Sequence, residues 1–123
     1  MKLFTAEIKK KLPMVDEVQN GEEAPIIVKF FGGSSYSLYV IAADVYLKGQ
    51  SEPVRYSEVT DEKTIEDIHF YGYVTGLQED EWGYTSFKEL KEIRFPPFRL
   101  PVERDMHFGM EHTVKEIIEN KKH

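Results

Sequence analysis

Glu103, Asp105 and His107 alternate along Val102-Glu103-Arg104-Asp105-Met106-His107-Phe108. If that run is extended the three share one face, because successive strand side chains point to opposite sides. Two carboxylates and an imidazole form a ligand set for a divalent ion, with Glu111 and His112 close behind, and a small metal-dependent hydrolase or nuclease would use them so. The ordinary alternative is that Glu103 and Asp105 fix Arg104 or nearby backbone. It takes precedence, since spacing on one strand does not establish ligand geometry. The leading expectation is therefore no metal, no cofactor and no catalytic residue.

Other catalytic patterns are weaker. His69, beside Phe70 and Tyr71, has the chemistry of a general base, but no serine and acid accompany it at informative spacing. A half-buried histidine bonded to a carbonyl is the commoner outcome. Glu7-Ile8-Lys9 and Glu89-Leu90-Lys91 match the tail of a nuclease motif by letter only, on segments that read as helices. Gly32-Gly33-Ser34-Ser35 lacks the Lys-Ser/Thr and the following helix of a phosphate cradle, so it reads as a hairpin turn. The absence of cysteine excludes disulfides, thiol nucleophiles, thiolate zinc and iron–sulfur clusters.

The remaining signals belong to surfaces. The chain of 123 residues carries 22 acids against 16 Lys and Arg, a formal charge of −6. Between Glu52 and Asp67 the acids Glu52, Glu58, Asp61, Glu62, Glu66 and Asp67 face only Arg55 and Lys63, which places most of the net charge there. With Glu79, Asp80 and Glu81 they offer an imitation of a phosphate row, attractive to a Lys/Arg-lined channel. The plain alternative is a solvated face. Tyr71, Tyr73, Trp82 and Tyr84 suggest an aromatic surface. Base stacking wants a basic track beside it, so a packed sheet face or a protein contact fits the acids better. Direct duplex binding is not expected from a body of this charge.

The elements that must position these groups follow from periodicity and caps. Thr5 caps a helix from about Ala6 to Leu12, stopped by Pro13. Ile26 to Phe31 and Tyr36 to Ala43 read as strands of an antiparallel hairpin, the second ending at Asp44. Val54 to Val59 reads as an exposed edge strand, and Asp61 to Thr64 as a loop or brief helical turn. Ile68 to Leu77 is a third strong strand, with Glu81 to Tyr84 pairing back on it. Ser86-Phe87-Lys88-Glu89 is a capping box opening a helix to about Arg94, after which Phe95 to Pro101 must be extended. Val102 to Phe108 reads as a last strand, and Thr113 opens a tail helix over about 113–121. The expectation is one α+β domain over 1–123, mainly antiparallel sheet, with an N-terminal helix, one helix near 86–94 and a C-terminal helix. No apolar run is long enough to span a bilayer and the N-terminus does not read as a signal peptide, so a cytoplasmic protein is expected.

Lys2-Leu3-Phe4-Thr5, Val28-Lys29-Phe30-Phe31, Phe70-Tyr71-Gly72-Tyr73-Val74-Thr75-Gly76-Leu77, Glu81-Trp82-Gly83-Tyr84 and Leu100 to Phe108 form an ordered series of blocks. Together they resemble a small bacterial family known only as domain of unknown function 2958, whose members occur on plasmids and other mobile elements. The resemblance covers a core of about 2–108. An acidic insertion of about 48–67 and the helix beyond His112 look like additions, and Ser35 to Tyr39 stands where the family tends to carry a Trp-bearing segment. The family supplies no catalytic residues to carry over. By analogy it implies a mobile-element accessory protein that binds a host or element protein, with an antagonist of a CRISPR-type or restriction nuclease as the specific form. Glu52, Glu58, Asp61, Glu62, Glu66, Asp67, Tyr73, Glu79, Asp80, Glu81 and Trp82 are then the contact residues. A scaffold or homodimer-forming module is the plainer alternative.

Overall fold

The computed structural model describes residues 3–121. Its first helix forms where the cap predicts it. Thr5 Oγ1 accepts the Ile8 amide at 3.2 Å, α1 runs Ala6–Lys11, and Ile8 and Leu12 are buried beneath it. Thr5→Ala is expected to cost about 1 kcal/mol, read as a lower denaturant midpoint with an unchanged slope.

Five strands build one antiparallel sheet: β1 (Val28–Gly32), β2 (Tyr36–Leu47), β3 (Ile65–Thr75), β4 (Glu81–Ser86) and the short β7 (Glu103–Arg104). Their order is β4-β3-β2-β1-β7. A separate small hairpin pairs β5 (Arg94–Phe95) with β6 (Leu100–Pro101), joined through a cis Pro96-Pro97 bond. The Gly32–Ser35 break is the β1–β2 turn, on which the Phe95 ring sits so closely that a Cβ at Gly32 would lie 2.1 Å from it.

β2 is central and buried on both faces, so its hydrophobic run does not alternate. A bulge between Val40 and Ala42 sets Ile41 and Ala42 together on one side. That side carries Ile26, Tyr39, Ile41 and Ala42 against α3 (Val114–Lys121), whose Val114 is fully buried. The other side holds Phe30, Leu38, Val40, Ile68 and Phe70 beneath α1 and α2 (Phe87–Glu92). Phe4 joins them, its ring within 5.3–5.9 Å of Phe30, Tyr56, Phe70 and Phe87. Ser86 Oγ accepts the Glu89 amide at 3.0 Å to open α2.

Three expectations are corrected. β2 does not stop at Asp44 but continues to Leu47, because the Asp44 carboxylate accepts the Val15 amide at 3.0 Å instead of facing a turn. Val54 to Val59 is not a strand. Val54 makes one bridge to Val45, and Tyr56–Glu58 is a 3-10 turn that buries the Tyr56 ring against Phe4. The Val102 to Phe108 strand shrinks to Glu103–Arg104, since Asp105 Oδ1 accepts the His107 amide and turns the chain.

Candidate functional site

Most carboxylates of the acidic stretch are engaged by the fold. Glu58 lies 3.3 Å from Arg55, and Glu66 3.3 Å from Lys88. Glu62 holds Lys9 at 2.6 Å and accepts the Tyr56 hydroxyl at 2.8 Å. Asp61 caps the Lys63 amide, and Asp67 accepts the amides of Ile68 and Lys88. The six acids therefore do not present a continuous unneutralised row. Glu52 alone of them makes no ion pair or hydrogen bond among the described residues.

The β3–β4 hairpin differs. Glu79 and Glu81 are exposed and unpaired among the described residues, while Asp80 Oδ1 accepts the Gly76 amide at 3.4 Å. One residue beyond the hairpin the register sets Trp82 opposite Tyr73 and Tyr84 opposite Tyr71. Trp82 stacks on Tyr71 at 5.6 Å and 15°, meets Tyr73 edge-on at 5.4 Å, and Tyr84 lies 4.9 Å from Tyr71. Such pairs add about 0.5–1.5 kcal/mol beyond burial. A loop through Gly21 backs Trp82, and with Val15, Val18 and Asn20 it closes a shallow cleft against Tyr71, Trp82 and Tyr84. Tyr84 remains 62% exposed on the outermost strand.

That loop is tied down by charge. Arg55 donates to both Glu17 carboxylate oxygens, and Glu17 Oε1 also accepts the Met14 amide at 2.8 Å. The bond from Arg55, then that from Met14, holds the Glu17 carboxyl below the usual glutamate range. A depressed folded-state pKa stabilises above the unfolded value and loses that contribution as pH falls through the folded one. Parent and Glu17→Gln are accordingly expected to differ in stability at neutral pH and to converge below about pH 4, in denaturant titrations across pH. Burial and then the charge of Glu89 push the Tyr36 phenol up to about 12, so it stays neutral.

Glu103, Asp105 and His107 are not gathered on one strand face. Asp105 lies 3.6 Å from Lys29 and caps His107, and only Glu103 of the three is in a strand. Glu111 and Glu116 instead both face His112, at 3.2 Å. No group of three or more His, Asp or Glu side chains among the described residues is arranged to hold a metal. Added Mn²⁺ or Zn²⁺ is expected to leave the melting temperature unchanged, and a saturable rise would favour the metal-ligand alternative. His69 lies 3.7 Å from Asp67 and against the Tyr46 ring at 4.7 Å, in place of the carbonyl contact expected. Sequence reasoning missed a groove between α1 and α2, because Phe4, Ile68, Phe87 and Arg104 meet there from four separate segments.

The arrangement first defines a class: a single α+β domain on a mostly antiparallel sheet, with an aromatic row and an acidic hairpin at its outer strand. The chain belongs to the family described as Protein of unknown function (DUF2958), whose profile matches residues 57–123, more than half the sequence. The match takes in β3, β4 and α3. No curated protein and no solved structure matches the chain. Among the described residues no helix is long and apolar enough to cross a membrane.

Proposed function

We propose that this chain is a non-enzymatic, cytoplasmic accessory protein of a mobile element that binds another protein through its β3–β4 edge. The observation that carries the reading is the stacked row of Tyr71, Trp82 and Tyr84 at the outermost strand, next in sequence to a hairpin whose Glu79 and Glu81 are exposed and unpaired among the described residues. Rigid aromatics in a half-desolvated row supply contact area at low entropy cost, and adjacent carboxylates select a basic counterpart. Enzymes that grip nucleic acid offer such basic surfaces, RNA-guided nucleases among them. The specific form is therefore an antagonist of a CRISPR-type or restriction nuclease. With most of the 52–67 acids already paired, the contact is a local anchor at the hairpin more than a long phosphate imitation.

The test is DNA cleavage by a panel of purified RNA-guided and restriction nucleases with the chain in excess. At least one is expected to be inhibited and to co-elute with it, with inhibition weakening as salt rises. Failure to inhibit or co-elute with any of them overturns the antagonist role.

A second reading rests on the outer edge of β4, which carries no neighbouring strand among the described residues. An open edge is a template for pairing with a second copy. Sedimentation equilibrium separates the two readings: a concentration-dependent dimer favours the scaffold module, and a monomer at all concentrations removes it.

A further inference from the structure

The groove between α1 and α2 has a volume of about 860 Å³, within the range that encloses a small organic molecule. Phe4, Ile68 and Phe87 give it apolar walls, and Lys9, Lys88, Lys91 and Arg104 stand around them with Glu62, Glu66 and Asp67. The three acids are engaged already: Glu62 by Lys9 and the Tyr56 hydroxyl, Glu66 by Lys88, and Asp67 by two backbone amides. Two cations are left over. The Lys91 ammonium lies 4.7 Å from the Phe87 ring centroid and has no carboxylate partner among the described residues.

Arg104 is the more telling of the two. In register it stands opposite Phe30 on β1, so it projects to the face that Phe4 covers. Its Nε is buried and has no hydrogen-bond acceptor, and no ion pair reaches its guanidinium among the described residues. Buried donors without acceptors are rare in folded proteins, and a guanidinium fork matches the geometry of an oxyanion. We propose that this groove binds a small organic acid, with an oxyanion head, carboxylate or phosphate monoester, on Arg104 and Lys91 and an aromatic body against the apolar wall that Phe4, Ile68 and Phe87 form together. Lys91 adds charge at the rim, and the apolar walls reject a bare inorganic anion. The groove lies on the sheet face that Phe4 and Phe87 cover, whereas Tyr71 and Trp82 pack on the opposite one.

The experiment is an NMR titration of the isotope-labelled full chain with phenylacetate, phenyl phosphate and the neutral phenylacetamide. One of the acids is expected to shift amides lining the groove saturably and at least about tenfold more tightly than the amide, tenfold being about 1.4 kcal/mol. Arg104→Gln is expected to abolish that preference while leaving phenylacetamide unaffected. Whichever acid binds more tightly identifies the head group. The proposal is overturned if neither acid saturates, if acid and amide bind alike, or if Arg104→Gln keeps the preference. Should Arg104→Gln fail to fold by circular dichroism, exposed Lys91→Gln decides: it is expected to weaken the acid about threefold and not the amide, and equal weakening of both overturns the proposal. Glu79→Gln/Glu81→Gln is expected to bind the acid like the parent, so failure here leaves the protein-binding reading standing.

Discussion

Gly72→Ala is expected to cost about 3 kcal/mol or more, whereas Gly83→Ala, directly across the ladder, is expected to change stability by less than about 0.5 kcal/mol. The two glycines pair in register between β3 and β4, so sequence context alone does not separate them. Their surroundings do. A Cβ at Gly72 would lie 2.1 Å from the Tyr39 carbonyl oxygen and 2.8 Å from its carbon, backbone atoms fixed in the central strand. A Cβ at Gly83 meets no atom of the described residues within 4 Å. Gly72 sits where β2 bulges between Val40 and Ala42, and the close approach of β3 there needs a residue without a side chain. Relief would require β3 to move off β2 and break a ladder of which Tyr71 and Tyr73 are members. A native state worth about 5–15 kcal/mol tolerates such a loss poorly. Urea midpoints of both variants are the measurement; comparable losses would show that the bulge does not set the strand spacing.

What the sequence made legible is the part encoded within a few residues. Thr5 with Ile8 and Leu12, and Ser86 with Leu90, each carry cap and apolar face inside one helix, so both helices were readable from spacing. The β1–β2 and β3–β4 hairpins announce themselves through a turn between β-rich runs. The misreadings share a long-range cause. Asp44 resembles a strand end until its carboxylate finds Val15, 29 residues away. Val54 to Val59 has strand-like residues, but the Tyr56 ring is drawn under Phe4, which lies just before α1. The same holds for the site. The composition of the aromatic row was visible, and its stacking required the β3–β4 register. The charge of the 52–67 stretch was visible too, yet its neutralisation depends on Lys9 from α1 and Lys88 from α2. Net charge by sequence window therefore overstated that surface and understated the three-acid hairpin.

That difference gives a matched test of where a basic partner reads the protein. Glu79→Gln/Glu81→Gln and Glu58→Gln/Glu66→Gln each remove two negative charges, so any effect of the whole-molecule field is the same for both. Only the first pair strips carboxylates that have no partner among the described residues; the second frees Lys88 and takes Glu58 from Arg55, which keeps Glu17. Against a nuclease that the parent chain inhibits, the hairpin double variant is expected to lose about tenfold or more in affinity at low salt, chiefly in association rate. The paired-acid variant is expected to lose about threefold or less, since exposed pairs contribute about 0–1 kcal/mol. Raising ionic strength should shrink the gap between the two, because the hairpin charges act through solvent. Trp82→Ala supplies the complementary signature. It removes stacking against Tyr71 and Tyr73, so it should speed dissociation about thirtyfold or more, as a hot spot worth at least about 2 kcal/mol does, with little salt dependence. Circular dichroism of each variant separates lost contact from lost fold. Equal losses from the two acid pairs would mean that the partner senses overall charge and that the hairpin has no privileged role. A hairpin variant that inhibits like the parent would remove Glu79 and Glu81 from the interface.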